Sequence, residues 1–341
     1  MATPPASTSP QAPAPVDNLV DIQQLEQDVA NHPYTFTFQH NRRYASQGHY
    51  YMPNDPPEIH RLNDQHYILT ATKAGALHNA PLPPPASNPA LKILDVGCGS
   101  GIWCVQMAEL YPAALVVGMD VSPIQPEAKP ARVQWVVHDM ELAWPFAGDY
   151  FDFIHLSLVH GCVADWDAMM RKIVSHLTPG GYLEHQEFSL CRQYTVSPTT
   201  NAADPMSADP DALPPVFRWG RLMETAALIR GRALQLGPLL PTFQRAAGFL
   251  AVHEDIYRIP VGTWPADPAQ RLLGARMMLS AVQGMEGFTT VMFTRVLGWS
   301  GEATRGFVGE VRRDLRDDGL RKAVDLHVVF GRKGGGGGGG G

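Results

Sequence analysis

Between residues 90 and 190, short apolar runs alternate with segments of helical periodicity, the pattern of a parallel sheet whose two faces are covered by helices. The runs predict strands at Lys92–Val96, Leu115–Asp120, Val133–His138, Phe151–Ser157 and Tyr182–Phe188. Between them, Ile102–Leu110 is mostly apolar. Met169, Met170, Ile173 and Leu177 recur at helical spacing across Trp166–Leu177, so both segments predict helices. Pro179-Gly180-Gly181 predicts the turn into the fifth strand, because proline stops a helix and glycine supplies unusual backbone angles. Further on, the pattern predicts helices over Val216–Leu236 and Leu239–Ala247, a sixth strand over Phe249–Ile259 and a last strand over Asp325–Phe330. The expected architecture is a Rossmann-like α/β fold. Its seven-stranded, mostly parallel sheet carries an N-terminal helical lid and a helical insert at about 262–317.

Composition divides the chain further. Residues 1–16 are almost entirely Ala, Pro, Ser, Thr and Gln, which cannot bury enough apolar surface to offset chain entropy, and are expected to be disordered. Residues 17–89 form the helical lid and end in the proline-rich linker Pro81-Leu82-Pro83-Pro84-Pro85. The catalytic domain is expected over 90–333. A Pro-, Asp- and Ser-rich loop follows its fifth strand at about 197–215, and a glycine tail closes the chain at 334–341. With 45% hydrophobic and 18% charged residues, the bulk of the 341 residues has the make-up of a packed globular protein.

The net charge of −6 lacks the basic excess that phosphate neutralisation requires, which argues against a nucleic-acid partner. Four cysteines, at 98, 104, 162 and 191, have neither Cys-x-x-Cys spacing nor the density of a disulfide scaffold, so free thiols are expected. No apolar run approaches the roughly 20 residues that cross a bilayer, and the N-terminus has no signal-peptide pattern. The expected location is the cytoplasm with the nucleus left open, and no membrane partner is expected.

The chemistry starts at Ile93-Leu94-Asp95-Val96-Gly97-Cys98-Gly99-Ser100-Gly101, a strand that runs into a glycine loop and then a helix. A nicotinamide site spaces its glycines G-x-G-x-x-G around a pyrophosphate; here the spacing is G-x-G-x-G and Asp95 stands just before the loop. A carboxylate would repel pyrophosphate. It is compatible with S-adenosylmethionine, which has no phosphate and carries an ammonium and a sulfonium. Asp120, at the end of the second strand, is the expected ribose ligand, with Val121 beside it. Asp139 is expected to accept from the adenine amino group and Met140 to pack against the ring. The fourth strand, with Leu156 near its end, leads to the floor of the pocket. The cofactor ligands expected from these motifs are therefore Asp95, Gly97, Gly99, Gly101, Asp120, Val121, Asp139, Met140 and Leu156.

With these motifs in hand, residues 41–333 resemble the fungal methyltransferases related to the secondary-metabolism regulator loss of aflR expression A, the LaeA-like family. The resemblance rests on Arg43-Tyr44, Tyr51, Pro53-Asn54-Asp55, Glu58, Arg61-Leu62, Gln65-His66, Ile102-Trp103, Ser122-Pro123-Ile124-Gln125-Pro126, Asp165-Trp166 and Phe293-Thr294-Arg295-Val296-Leu297-Gly298-Trp299. It implies a lid of N-terminal helices over the cofactor, with Tyr51 among the cofactor ligands, and a place in natural-product metabolism, as an enzyme on small molecules or as a regulator. The chain departs from the family at His160, where a small residue is common, and at His185, where an apolar one is. It also has no His-Ala-Tyr before Val328.

Methyl transfer needs a nucleophile held in line with the methyl–sulfur bond. A hydroxyl acceptor is helped by a general base, typically a histidine. His160 is the first candidate, ahead of His155, against the alternative of a packed histidine at a strand-to-helix turn. No Asn-Pro-Pro-Tyr clamp for base amines follows the fourth strand. Glu184 and Glu187, three apart on a strand, point to opposite faces and form no acidic pair. The Met- and Phe-rich insert around Met277, Met278, Met285, Phe288, Met292 and Phe293 suits an apolar small-molecule acceptor, and equally an ordinary core. Two other readings stay open: a regulator acting through a protein partner, and a cofactor-binding fold member that catalyses a different reaction.

Overall fold

Strand β1 (Phe36–Gln39) and strand β2 (Arg42–Ala45) open the molecule as an antiparallel hairpin. The computed structural model describes residues 34–46, 50–189, 194–195 and 213–335. The tail expected at 1–16, Cys191, most of the 197–215 loop and glycines 336–341 lie outside those residues. Among the described residues, the stretch expected to be helical holds this hairpin and one helix. His40 and Asn41 close the hairpin with φ of 49° and 60°, angles that suit a tight turn between twisted strands. Helix α1 (Pro56–Thr72) follows, started by the Asp55 side chain accepting from the Glu58 amide and by Pro56, which has no amide hydrogen to leave unpaired.

The main sheet begins with β3 (Lys92–Val96), and α2 (Ile102–Leu110) crosses to β4 (Leu115–Asp120). After β5 (Val133–Val137) and β6 (Phe151–Ser157), α3 (Trp166–His176) leads into β7 (Leu177–Phe188). A two-residue β8 (Tyr194–Thr195), α4 (Pro215–Ile229), α5 (Leu240–Ala246), β9 (Leu250–Val261), α6 (Pro268–Val291), a π-turn at Met292–Val296, α7 (Gly301–Arg316) and β10 (Lys322–Arg332) complete the chain. The sheet runs β5-β4-β3-β6-β7-β10, with β9 on the far side of β10. Strands β3 to β7 are parallel and β10 is antiparallel to both neighbours. Thr178–Gly181, expected as a turn, is extended chain within β7. It is accommodated by a register shift opposite Phe151–Phe153 and by φ of 86° at Gly180.

Alternation along the parallel strands feeds two cores. Ile93 and Phe153 face Trp103 and Met107 of α2, while Leu94 and Ile154 face Met169, Met170 and Ile173 of α3. A third cluster joins α4, α6, α7 and the ends of β9 and β10 to Tyr51, Met52, Ile68 and Leu69 of the N-terminal segment. These helices roof the carboxyl edge of the parallel strands, where ligands bind in open α/β sheets. Cys98, Cys104 and Cys162 are free thiols. Among the described residues, no helix is long and apolar enough to cross a membrane.

Candidate active site

One cavity of about 230 Å³ runs from the glycine loop, under α1, to the inner faces of α4 and α6. Asp95, Gly97, Gly99, Asp120, Val121, Asp139, Met140, Tyr51, His155 and His160, all singled out in the sequence, line it together. Two other expected ligands do not reach it. Leu156 is fully buried in the core on the α3 face, because Leu158, with φ of 54°, turns the chain and presents its own side chain to the cavity instead. Gly101 sits at the start of α2 with φ of 76°, and a Cβ there would come within 2.5 Å of Trp135.

The loop glycines answer to different constraints. A Cβ on Gly97 would lie 2.9 Å from Val159 and 3.2 Å from Met140, so packing alone demands glycine at 97 as it does at 101. On Gly99 it would meet only Leu62, at an ordinary 3.4 Å across the cavity. Gly99 is therefore the position where the backbone lies open to a ligand.

Asp120 is held from both sides, its carboxylate accepting from the Gly99 amide at 2.9 Å and from the Ser122 amide at 2.9 Å. Burial nevertheless pushes its carboxyl up to about 6, with the Asp95 charge adding to the rise. Asp139 accepts from the Glu141 amide at 2.9 Å, and the loop that carries it is pinned by Lys172, which donates to the Met140, Glu141 and Leu142 carbonyls. Asp95 is buried, facing His155 across neighbouring strands: His155 Nδ1 lies 2.8 Å from one carboxylate oxygen and the Cys104 thiol donates to the other. Trp103 stacks on the His155 ring at 4.0 Å and 5°, and His155 Nε2 is buried without a partner. His155 is locked into the wall of the site.

His160 is different. Its Nδ1 lies 2.9 Å from Glu187, and Nε2 has no hydrogen-bond partner among the described residues. Glu187 is fully buried and also takes the Val159 amide at 2.8 Å and His185 Nε2 at 3.1 Å. The sequence reading missed Glu187 as a site residue. The signal was present, since His185 and Glu187 are two apart on a strand and share a face. Glu184 points the other way and accepts the Asn79 and Ala80 amides, which ties the linker to the sheet. Arg61 was quoted only as part of a motif. It lines the cavity with its guanidinium on Glu58 at 2.7 Å and over the Phe288 ring at 4.9 Å. Beyond it the wall is apolar, with Phe188, Val216, Trp219, Met223, Met277 and Met285.

The residues present fit S-adenosylmethionine. Three carboxylates and an open glycine face a cavity whose one arginine is already paired, a donor set for a cationic ligand without phosphate.

A family model described as a methyltransferase domain matches residues 41–229. The chain is similar to methyltransferase pytC of Aspergillus terreus, 34% identical over 334 residues and covering 95% of each chain. It is also similar to the secondary metabolism regulator LAE1 of Cochliobolus heterostrophus, 34% identical with 84% of this chain and 90% of the relative covered. Among solved structures, it resembles phosphoethanolamine N-methyltransferase 2 of Haemonchus contortus in complex with S-adenosyl-L-methionine. The TM-score is 0.49 at 13% identity, covering 94% of this chain and 75% of that one.

Proposed function

We propose, from the premise that the chain belongs to the S-adenosylmethionine-dependent methyltransferases of fungal secondary metabolism, that its acceptor is a hydroxyl or carboxyl on a small apolar natural product. The observation that carries this reading is that one cavity is lined by the carboxylates, by a set of apolar side chains and by His160, whose Nε2 has no hydrogen-bond partner among the described residues. When bound, S-adenosylmethionine supplies an electrophilic methyl group on a sulfonium.

The chain's own residues do the rest. Asp120 accepts the ribose hydroxyls, and Asp139 and Met140 take the adenine edge and face. The Gly97–Gly99 backbone and Asp95 border the amino-acid portion, and Tyr51 closes over it from the lid. The apolar wall holds the acceptor and excludes water, so that the two reactants meet in line. His160 Nε2 takes the proton of a hydroxyl acceptor. The domain division carries the same reading, with residues 17–89 as the lid and 90–333 as the catalytic unit.

The test is to incubate the protein with methyl-labelled cofactor and either a fungal metabolite extract or total fungal protein. Label in the small-molecule fraction is the expected result. Label confined to protein would reject the reading in favour of a regulator that modifies partners.

Asp120 gives a second check. The ionised carboxylate is the stronger acceptor for ribose hydroxyls. Cofactor affinity is therefore expected to weaken as pH falls through about 6, by about tenfold between about pH 8 and about pH 5, and Asp120→Asn should remove that dependence. Calorimetric titration across this range measures it. The sign for the protein alone is opposite: a folded-state value raised above the unfolded one favours the fold at low pH, and that contribution is lost as pH rises through about 6.

A further inference from the structure

Behind the cavity wall, against His160, lies a buried acid that the reading above leaves idle. Glu187 is fully buried and accepts from three donors: His160 Nδ1, His185 Nε2 and the Val159 amide. Burial alone would raise its carboxyl, but the hydrogen bonds from His160 and His185 outweigh it and hold Glu187 below the ordinary carboxylate value. An ionised carboxylate can only accept, so both rings must present an N–H to it. His185 has nothing on its other side. Its Nδ1 is buried without a partner and the ring stacks on Trp166 at 5.1 Å. A bare nitrogen there is cheaper than an unpaired N–H, so His185 is neutral with its proton on Nε2. His160 likewise presents its Nδ1 proton to Glu187, which leaves Nε2 as the position of the ring free to meet a ligand in the cavity it lines.

A supported base is of use only to an acceptor that has a proton to lose. A carboxyl acceptor is already ionised at neutral pH; what it needs is a cation. Arg61 is the only lysine or arginine among the described residues lining the cavity, and Glu58 already occupies it through contacts of 2.7, 3.0 and 3.0 Å, with Gln65 on its remaining side at 3.2 Å. Asp95, Asp120 and Asp139 line the same space, so an acceptor carboxylate would be desolvated against three like charges.

We infer that the acceptor group is a neutral hydroxyl rather than a carboxyl, and that Glu187 positions His160 to take its proton. This inference rests on the small-molecule methyltransferase reading. In the step, the acceptor's O–H bond breaks and its proton goes to His160 Nε2. The oxygen lone pair forms the new bond to the methyl carbon, and the pair of the breaking carbon–sulfur bond stays on sulfur as a neutral thioether. Glu187 stabilises the imidazolium that results, without itself leaving its three donors.

The experiment uses the full chain, deuteromethyl-labelled cofactor and a fungal metabolite extract, with half of each product mixture treated with mild alkali. Methyl ethers survive the alkali and methyl esters are cleaved. Alkali-stable O-methyl label is expected; alkali-labile label overturns the hydroxyl assignment. Glu187→Gln is expected to slow entry of label by at least about tenfold. The half-saturating amount of extract and the cofactor affinity should stay within about twofold, and Glu187→Asp should recover part of the rate. An unchanged rate in Glu187→Gln overturns the positioning role. Nitrogen-15 spectra of the wild-type imidazoles give a measurement that needs no turnover and no variant. His160 protonated on Nδ1 supports the inference, and protonation on Nε2 overturns it. Absence of label from every small molecule instead overturns the parent reading, and the acceptor assignment with it.

Discussion

Gly99→Arg is expected to leave the protein folded and to weaken S-adenosylmethionine binding by at least about 100-fold, a loss of about 2.7 kcal/mol. The argument turns on which loop glycine faces the ligand. At Gly99 the backbone has φ of 53°, so any side chain carries the left-handed cost of about 1–2 kcal/mol, but its Cβ meets only Leu62 at 3.4 Å. The guanidinium then extends into the cavity toward Asp120, whose carboxylate already touches the Gly99 amide, and the new ion pair occupies the carboxylate proposed to take the ribose. Gly101→Ala is the contrast. Its Cβ would sit 2.5 Å from Trp135, so it should lower the melting temperature first and affect binding only through damage to the fold. Calorimetry paired with thermal denaturation separates the two. Normal cofactor binding by Gly99→Arg would remove the loop from the binding site.

That difference among three adjacent glycines was not legible in the sequence, where they looked equivalent. What the sequence exposed well was anything carried by local periodicity. Strands β3, β4 and β6 and helix α2 fall where the apolar runs begin and end, because strands buried on both faces read as mostly apolar runs. The β1–β2 hairpin escaped, since its strands are four residues each and half exposed, with Phe38 pointing outward; only the left-handed His40-Asn41 pair marks the turn.

The site divides the same way. That Asp120 and Asp139 line the cavity was legible because one ends a strand and the other follows one closely. The partnership of Asp95 with His155 was not, because it is made by parallel register between strands 60 residues apart. That partnership changes the reading of two residues at once. Asp95 has its carboxylate engaged by His155 and Cys104, and His155, clamped between Asp95 and Trp103, has no free path to an acceptor proton. Leu156 failed to reach the cavity for a related reason. The left-handed turn at Leu158 breaks the two-residue alternation at the point where the strand meets the ligand.

With His155 engaged in the wall, the proposed reaction assigns proton transfer to His160, and His160→Ala is then expected to lower the turnover of a hydroxyl acceptor by about 10² to 10⁴-fold. Cofactor affinity should be unchanged, because Asp120, Asp139 and the loop glycines make no hydrogen bond to the His160 ring. The His160 side chain is 18% exposed, so its truncation should cost the fold less than loss of a fully buried core side chain. Removing it also strips Glu187 of one donor, yet the carboxylate keeps the Val159 amide and His185, which limits the penalty of a newly unpaired buried charge. The double variant His160→Ala with Glu187→Gln should then be no slower than His160→Ala alone, since Glu187 acts only through the ring that is gone. Single-turnover rates for the four proteins, with cofactor affinities measured alongside, decide the matter. A wild-type rate in His160→Ala would take His160 out of the chemistry while leaving the cofactor site untouched, and additive losses in the double variant would give Glu187 a role independent of His160.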